Sequence, residues 1–150
     1  MKKILLGIVI CIFFLVVGIL ISIPLVNNYE ASLVSKELAK IPLPPETQFV
    51  EAVYKAGKLV GNGNGMQYFG AILIKSELPL YEIDEYYLQY RKNDWSYIVE
   101  KQSGSEIKEV EHGKLEFNEI HDVNIIDTYY IVYSWGESDF PLADLDIRGH

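Results

Sequence analysis

The chain has 150 residues, 49% of them of hydrophobic type, with 13 Lys and Arg against 21 Asp and Glu and a net charge of −8. That length holds one domain plus its ends, and the acidic balance argues against nucleic acid, whose binding needs cations to neutralise phosphates. The single cysteine, Cys11, lies in the first apolar run, so the remainder has no disulfide and no thiolate for a metal.

In chain order, residues 4–26 carry no charge. At about 1.5 Å of rise per residue, such a helix crosses the ~30 Å hydrocarbon core of a bilayer. A cleaved signal has an apolar region of only ~7–15 residues with small residues at the cleavage site; here polar Asn27, Asn28 and Glu30 come before Ala31 and Ser32. A lipoprotein signal needs a small residue before the cysteine, and Ile10 stands there. The run therefore reads as an uncleaved transmembrane helix. Lys2 and Lys3 precede it, which places residues 1–3 in the cytoplasm and the rest outside the cell membrane. With those two lysines set aside, 11 basic residues face 21 acidic ones, a net charge of −10 for the exported part, which disfavours anionic lipid as well.

Ala31, Val34, Leu38 and Ile41 recur at steps of three and four, the mark of a short juxtamembrane helix. It can continue the anchor, with Pro24 expected to kink it near the outer interface. Pro42, Pro44 and Pro45 then stop it and form a semi-rigid extended spacer. Residues 27–47 thus join the anchor to an extracytoplasmic domain at 48–150. A first strand is expected from Gln48, with Val50, Ala52 and Tyr54 in step on one face, and a second around Tyr68, Phe69, Ile72, Leu73 and Ile74.

Between them, Gly61, Gly63 and Gly65 alternate with Asn62 and Asn64. The spacing fits neither a dinucleotide fingerprint nor a P-loop, and neutral asparagines do not make a calcium loop. A hairpin connection remains, since Gly and Asn tolerate the positive φ of tight turns. Asn62 and Asn64 are kept as candidate ligand contacts, because backbone amides in a glycine loop can hold an anion.

Leu80, Ile83, Tyr87 and Tyr90 mark an amphipathic helix with acids early and Arg91 and Lys92 at its end, matching the helix dipole. Tyr81 and Tyr86 lie off that stripe and are candidate partner contacts, as tyrosine can stack on sugars or anchor an interface. A strand over residues 95–102 puts Trp95, Tyr97 and Val99 on one face, a hairpin turns at His112 and Gly113, and residues 128–135 form a further strand. Phe140, Leu142, Leu145 and Ile147 suggest that the segment 136–150 docks. The pattern is an α+β fold: an N-terminal transmembrane helix, then a small antiparallel sheet with one packed helix.

No reaction centre is legible. His112, His121 and His150 lack zinc spacing, no serine sits in a nucleophile elbow, and Asp139, Asp144 and Asp146 show no calcium register. Carboxylate pairs are plentiful among 21 acids, so solvated faces are the ordinary reading. No catalytic residue, cofactor or metal ligand is assigned. The expectation is a binding domain for a protein or envelope component; the alternatives are an envelope-associated hydrolase using paired carboxylates and an immunity-type inhibitor with an acidic face. The spacer motif "IPLPP" at 41–45 and the pattern G-x-L-x-G-x-G-N at 57–64 resemble those of small membrane-anchored bacterial proteins, mostly Gram-positive. That resemblance supports the topology and implies no activity.

Overall fold

The computed structural model describes residues 2–120 and 129–150. Helix α1 (Lys2–Lys40) is followed by strands β1 (Thr47–Gly57) and β2 (Gln67–Ser76), helix α2 (Leu80–Leu88), and strands β3 (Ile98–Lys101) and β4 (Tyr129–Gly136). The strands form one antiparallel sheet in the order β1-β2-β4-β3. The fold is the expected α+β arrangement of an apolar N-terminal helix, an antiparallel sheet and one further helix. The expected strand start at Thr128 lies outside the described residues, as does His121.

Helix α1 is one unbroken element of 39 residues that passes through Pro24. Its first half is long and apolar enough to cross a membrane, and its most apolar stretch has no side chain buried against the described residues. Its second half is core. Ile23, Ala31 and Leu38 are buried together with Asn27, Ser32 and Ser35, and this face lies against the sheet. Small side chains on the helix let the two backbones approach closely, and Gly70 in β2 completes the fit: a methyl group there would overlap Ser35 N and Val34. The expected boundary at residue 48 is therefore not a packing boundary. The proline segment, expected as a semi-rigid extended spacer, is also packed: Pro44 is buried, Leu43 packs on the helical side of the core, and Pro42 O accepts a 2.9 Å bond from Tyr86.

The sheet is covered on both faces. On one, Leu38 and the α2 residues Ile83 and Tyr87 pack on Ile72, Ile74, Tyr130 and Val132. On the other, Ile107, Val110 and Phe117 from the segment after β3 pack on Phe69, Ala71, Leu73 and Ile131. This explains why β2 is buried from Tyr68 to Ile74 without alternation, as a strand covered on both sides should be. In β1 the expected face is out of phase. A register shift between Phe49 and Glu51 puts Val53 in the core and leaves Ala52 and Tyr54 exposed, because a bulge adds one residue and flips the side chains beyond it. The strand expected over 95–102 is cut to four residues by Tyr97, which has φ +56°. The expected hairpin around 113 does turn at Gly113 (φ +70°), but only a single bridge, Glu106 to Glu116, joins its arms.

The segment after β4 docks, but of the four apolar side chains expected to carry it only Phe140 is half-buried. Asp146 is 2% exposed, whereas Leu142, Leu145 and Ile147 face outward. Arg148 Nη2 donates to Asp146 Oδ2 at 2.6 Å and Asn27 Nδ2 donates to the same carboxylate at 3.0 Å. Asn27 in turn accepts from Tyr68 at 2.8 Å, and Lys58 N and Gly65 N donate to Arg148 O and Gly149 O at 2.7 and 2.8 Å. The tail thus ties α1 to the β1–β2 hairpin.

The Arg148 guanidinium, with help from Asn27, holds the Asp146 carboxyl down at about 2 against the opposing effect of burial. A depressed carboxyl stabilises the fold above the unfolded-state value of about 3.9, and that stabilisation fades as pH falls towards 2. Breaking a fully buried pair costs about 3 kcal/mol or more, but the Arg148 side chain is 36% exposed, and screening by solvent brings the cost nearer about 2 kcal/mol. Asp146→Asn is expected to lower stability by that order at pH 7, and the gap from wild type should narrow between about pH 4 and 2. Thermal melts of both proteins across that range check this; a gap independent of pH would refute it.

Candidate functional site

Four elements converge at the C-terminal end of β4. The turn before β3 supplies Trp95, β4 supplies Tyr133 and Trp135, the β1–β2 hairpin supplies Val60, Met66 and Gln67, and the segment after β3 supplies Glu109; with Tyr68 and Gly136 these line a hollow of about 450 Å³. Trp95 sits in a tight turn because Asn93 and Ser96 bond the backbone locally: Trp95 N donates to Asn93 Oδ1 at 2.9 Å, and Lys92 N and Asn93 N donate to Ser96 Oγ. Trp95 O accepts from Trp135 N at 2.9 Å, and Tyr97 N donates to Ser134 Oγ at 2.8 Å. Those bonds hold Tyr97 in the left-handed region, which a bulky side chain adopts only under constraint from its surroundings. The result is that Trp95 projects into solvent, 66% exposed, beside half-buried Trp135.

Trp135 is steadied edge-on by Phe69 at 5.0 Å between ring centroids. Beyond it, a second hollow of about 330 Å³ opens between α1 and the end of β4, lined by Glu30, Glu37, Lys92 and Ser134 among others. The acid side of the first hollow is specific. Tyr133 donates to Glu100 Oε1 at 2.8 Å, and Glu109 has a buried Oε2 with no hydrogen-bond partner among the described residues. Burial, followed by the neighbouring Glu100 carboxylate, pushes the Glu109 carboxyl up. A buried acceptor left unpaired costs free energy until a donor arrives. Aromatic faces with such an acceptor suit a ligand that offers an apolar or cationic face together with an N–H or O–H.

The four residues singled out from the sequence are elsewhere and are not brought together. Asn62 and Asn64 are exposed in the hairpin loop. That loop's amides are largely committed within the fold: Leu59 N and Val60 N donate to Gln67 Oε1, Gly61 N to Glu111, Gly65 N to Gly149 O and Met66 N to Asp144. Tyr81 is exposed on α2, its hydroxyl donating to Glu82 at 2.8 Å. Tyr86 is half-buried against Tyr87 and Tyr90, and its hydroxyl is pushed up to about 12 by burial and by Tyr90. Sequence reasoning missed Trp95 as a surface group, although the turn-forming Asn93, Asp94 and Ser96 around it are the signal that a strand does not run through it. The approach of Glu109 to Glu100 and Tyr133 left no local signal. Among the described residues no three His, Cys, Asp or Glu side chains gather as metal ligands would. No protein-family model, curated protein or solved structure matches the chain.

Proposed function

We propose that the chain is a single-pass membrane protein, N-terminus inside, whose α+β domain outside the membrane binds a protein or another component of the cell envelope through the Trp95 hollow. The observation that carries this reading is Trp95 itself: a large aromatic side chain held in solvent by a hydrogen-bonded turn, beside Trp135 and at a hollow that Glu109 also lines. Aromatic anchors of this kind supply a disproportionate share of binding energy. Orientation is read from Lys2 and Lys3 ahead of the apolar run. A photo-crosslinking residue at exposed position 94, which keeps Trp95, activated in intact membranes, should give a discrete adduct, and Trp95→Ala should weaken capture of the adducted partner about 10-fold or more while leaving the melt unchanged. No adduct at 94, or equal capture by Trp95→Ala, would count against the reading.

One observation favours a second reading. Glu100, Glu109 and Tyr133 place two carboxyls together, one of them pushed up, which is the kind of asymmetry acid–base chemistry uses. A hydrolase of this type would release product from envelope polymers and lose that release on Glu109→Gln; a pure binder would show none in either protein.

A further inference from the structure

Over residues 145–147 the usual order of side chains is inverted. Asp146 is buried, while Leu145 and Ile147 on either side of it are 63% and 85% exposed. The backbone is well tied at this point. Leu145 N and Asp146 N close a 3₁₀ turn at 3.0 and 3.1 Å, and Arg148 N caps back onto Asp146 Oδ1. The apolar residues are therefore held outward by the same bonds that hold Asp146 inward.

The location gives this inversion its meaning. Asn27 Nδ2 donates to Ala143 O at 3.2 Å, Arg148 Nη2 donates to Pro24 O at 3.1 Å, and Arg148 Nη1 donates to Asn28 Oδ1 at 2.8 Å. The uncharged run of α1 ends at Val26. The turn is thus fastened, within one side-chain length, at the level where the apolar half of the helix gives way to the packed half, with exposed Leu25 alongside on the helix itself. Each exposed Leu or Ile moved out of water gains about 1.5–3 kcal/mol on full burial.

We propose that Leu145 and Ile147, with Leu142, rest in the outer lipid interface beside the helix, so that the domain touches the bilayer at a second point. The inference rests on the reading of α1 as a membrane span. Lys58, Arg148 and His150 line the neighbouring hollow, while Asp144 is exposed next to the turn. The mixed charge around it suits a zwitterionic surface.

The test uses the full chain with Cys11→Ser, reconstituted in phosphatidylcholine vesicles. An environment-sensitive fluorophore is placed singly by Leu145→Cys, Ile147→Cys, Leu15→Cys in the apolar half, and Tyr81→Cys on α2. Tyr81 is exposed on α2, and that helix packs near Leu38 through Ile83 and Tyr87, about 20 Å along α1 from Pro24. Labels at 145 and 147 should be blue-shifted, quenched by lipid-borne nitroxide and shielded from iodide, as at 15 and unlike 81. If 15 is quenched by lipid while 145 and 147 respond to iodide as 81 does, the interfacial turn is refuted and the span stands. Shielding from iodide without quenching by lipid would mean that a second copy covers the turn, and would also refute it. If 15 responds to iodide, the span reading falls and the inference falls with it.

Discussion

A chain beginning at Gln48 is expected to be insoluble or unfolded, whereas one beginning at Ser22, which keeps the packed half of α1, should melt cooperatively. The shorter fragment loses Ile23, Ala31 and Leu38, all essentially inaccessible in the folded chain. Burying an Ile and a Leu is worth about 1.5–3 kcal/mol each, so the loss is on the order of 5 kcal/mol. A whole domain is typically stable by only about 5–15 kcal/mol. The fragment would also take Leu38 away from Ile72 and Ile74 and strip Tyr68 of its acceptor on Asn27. Circular dichroism melts and gel filtration of the two fragments decide the matter; a cooperative melt of residues 48–150 at the temperature of the longer chain would overturn it.

The second large effect concerns Gly70. Its Cα lies where α1 crosses β2, and any Cβ there would run into Ser35 N and the backbone carbon of Val34. Those are main-chain atoms, with no flexible end to give way. Gly70→Val must lift α1 off the sheet or distort β2, and overpacking of this kind costs about 3 kcal/mol, equivalent to roughly 10–15 °C in melting temperature. Gly63→Ala is the matched control, since nothing lies within 4 Å of a Cβ at that position and no positive φ is at stake. Equal melting temperatures for the two variants would show that the helix does not sit on the sheet as described.

The gap between what sequence and structure reveal is physical. The α2 stripe was legible because Ile83 and Tyr87 obey a local period of about 3.6 residues and are buried accordingly. The stripe through Ala31 and Leu38 was legible for the same reason, but the surface it covers was not, because Asn27, Ser32 and Ser35 on that face read as solvent-facing until a close sheet explains them. The β1 phase was hidden by one extra residue at a bulge, to which a period-two pattern is blind. Trp95 looked like a strand residue because its spacing to Tyr97 and Val99 is correct, while the positive φ at Tyr97 that breaks the run comes from a bond to Ser134, 37 positions away. The candidate site shares that origin: Glu109, Glu100 and Tyr133 meet only after β4 has paired with β3. In the tail, the apolar residues Leu142, Leu145 and Ile147 pointed to docking through themselves, but the segment is held by Asp146, whose partners Asn27 and Arg148 carry no local signal of the pairing.

The continuity of α1 through Pro24 has a mechanical consequence. At about 1.5 Å per residue the 39-residue rod is roughly 58 Å long, and its far half is clamped into the sheet at Gly70 while Arg148 grips it at Pro24 and Asn28. No loop separates its two halves, so a lean of the apolar end reaches the Trp95 hollow less whatever bending absorbs at Pro24, where the helix lacks one backbone hydrogen bond. The hollow's height and heading are therefore set by how the rod stands, and a force on whatever occupies it would be felt along the whole shaft.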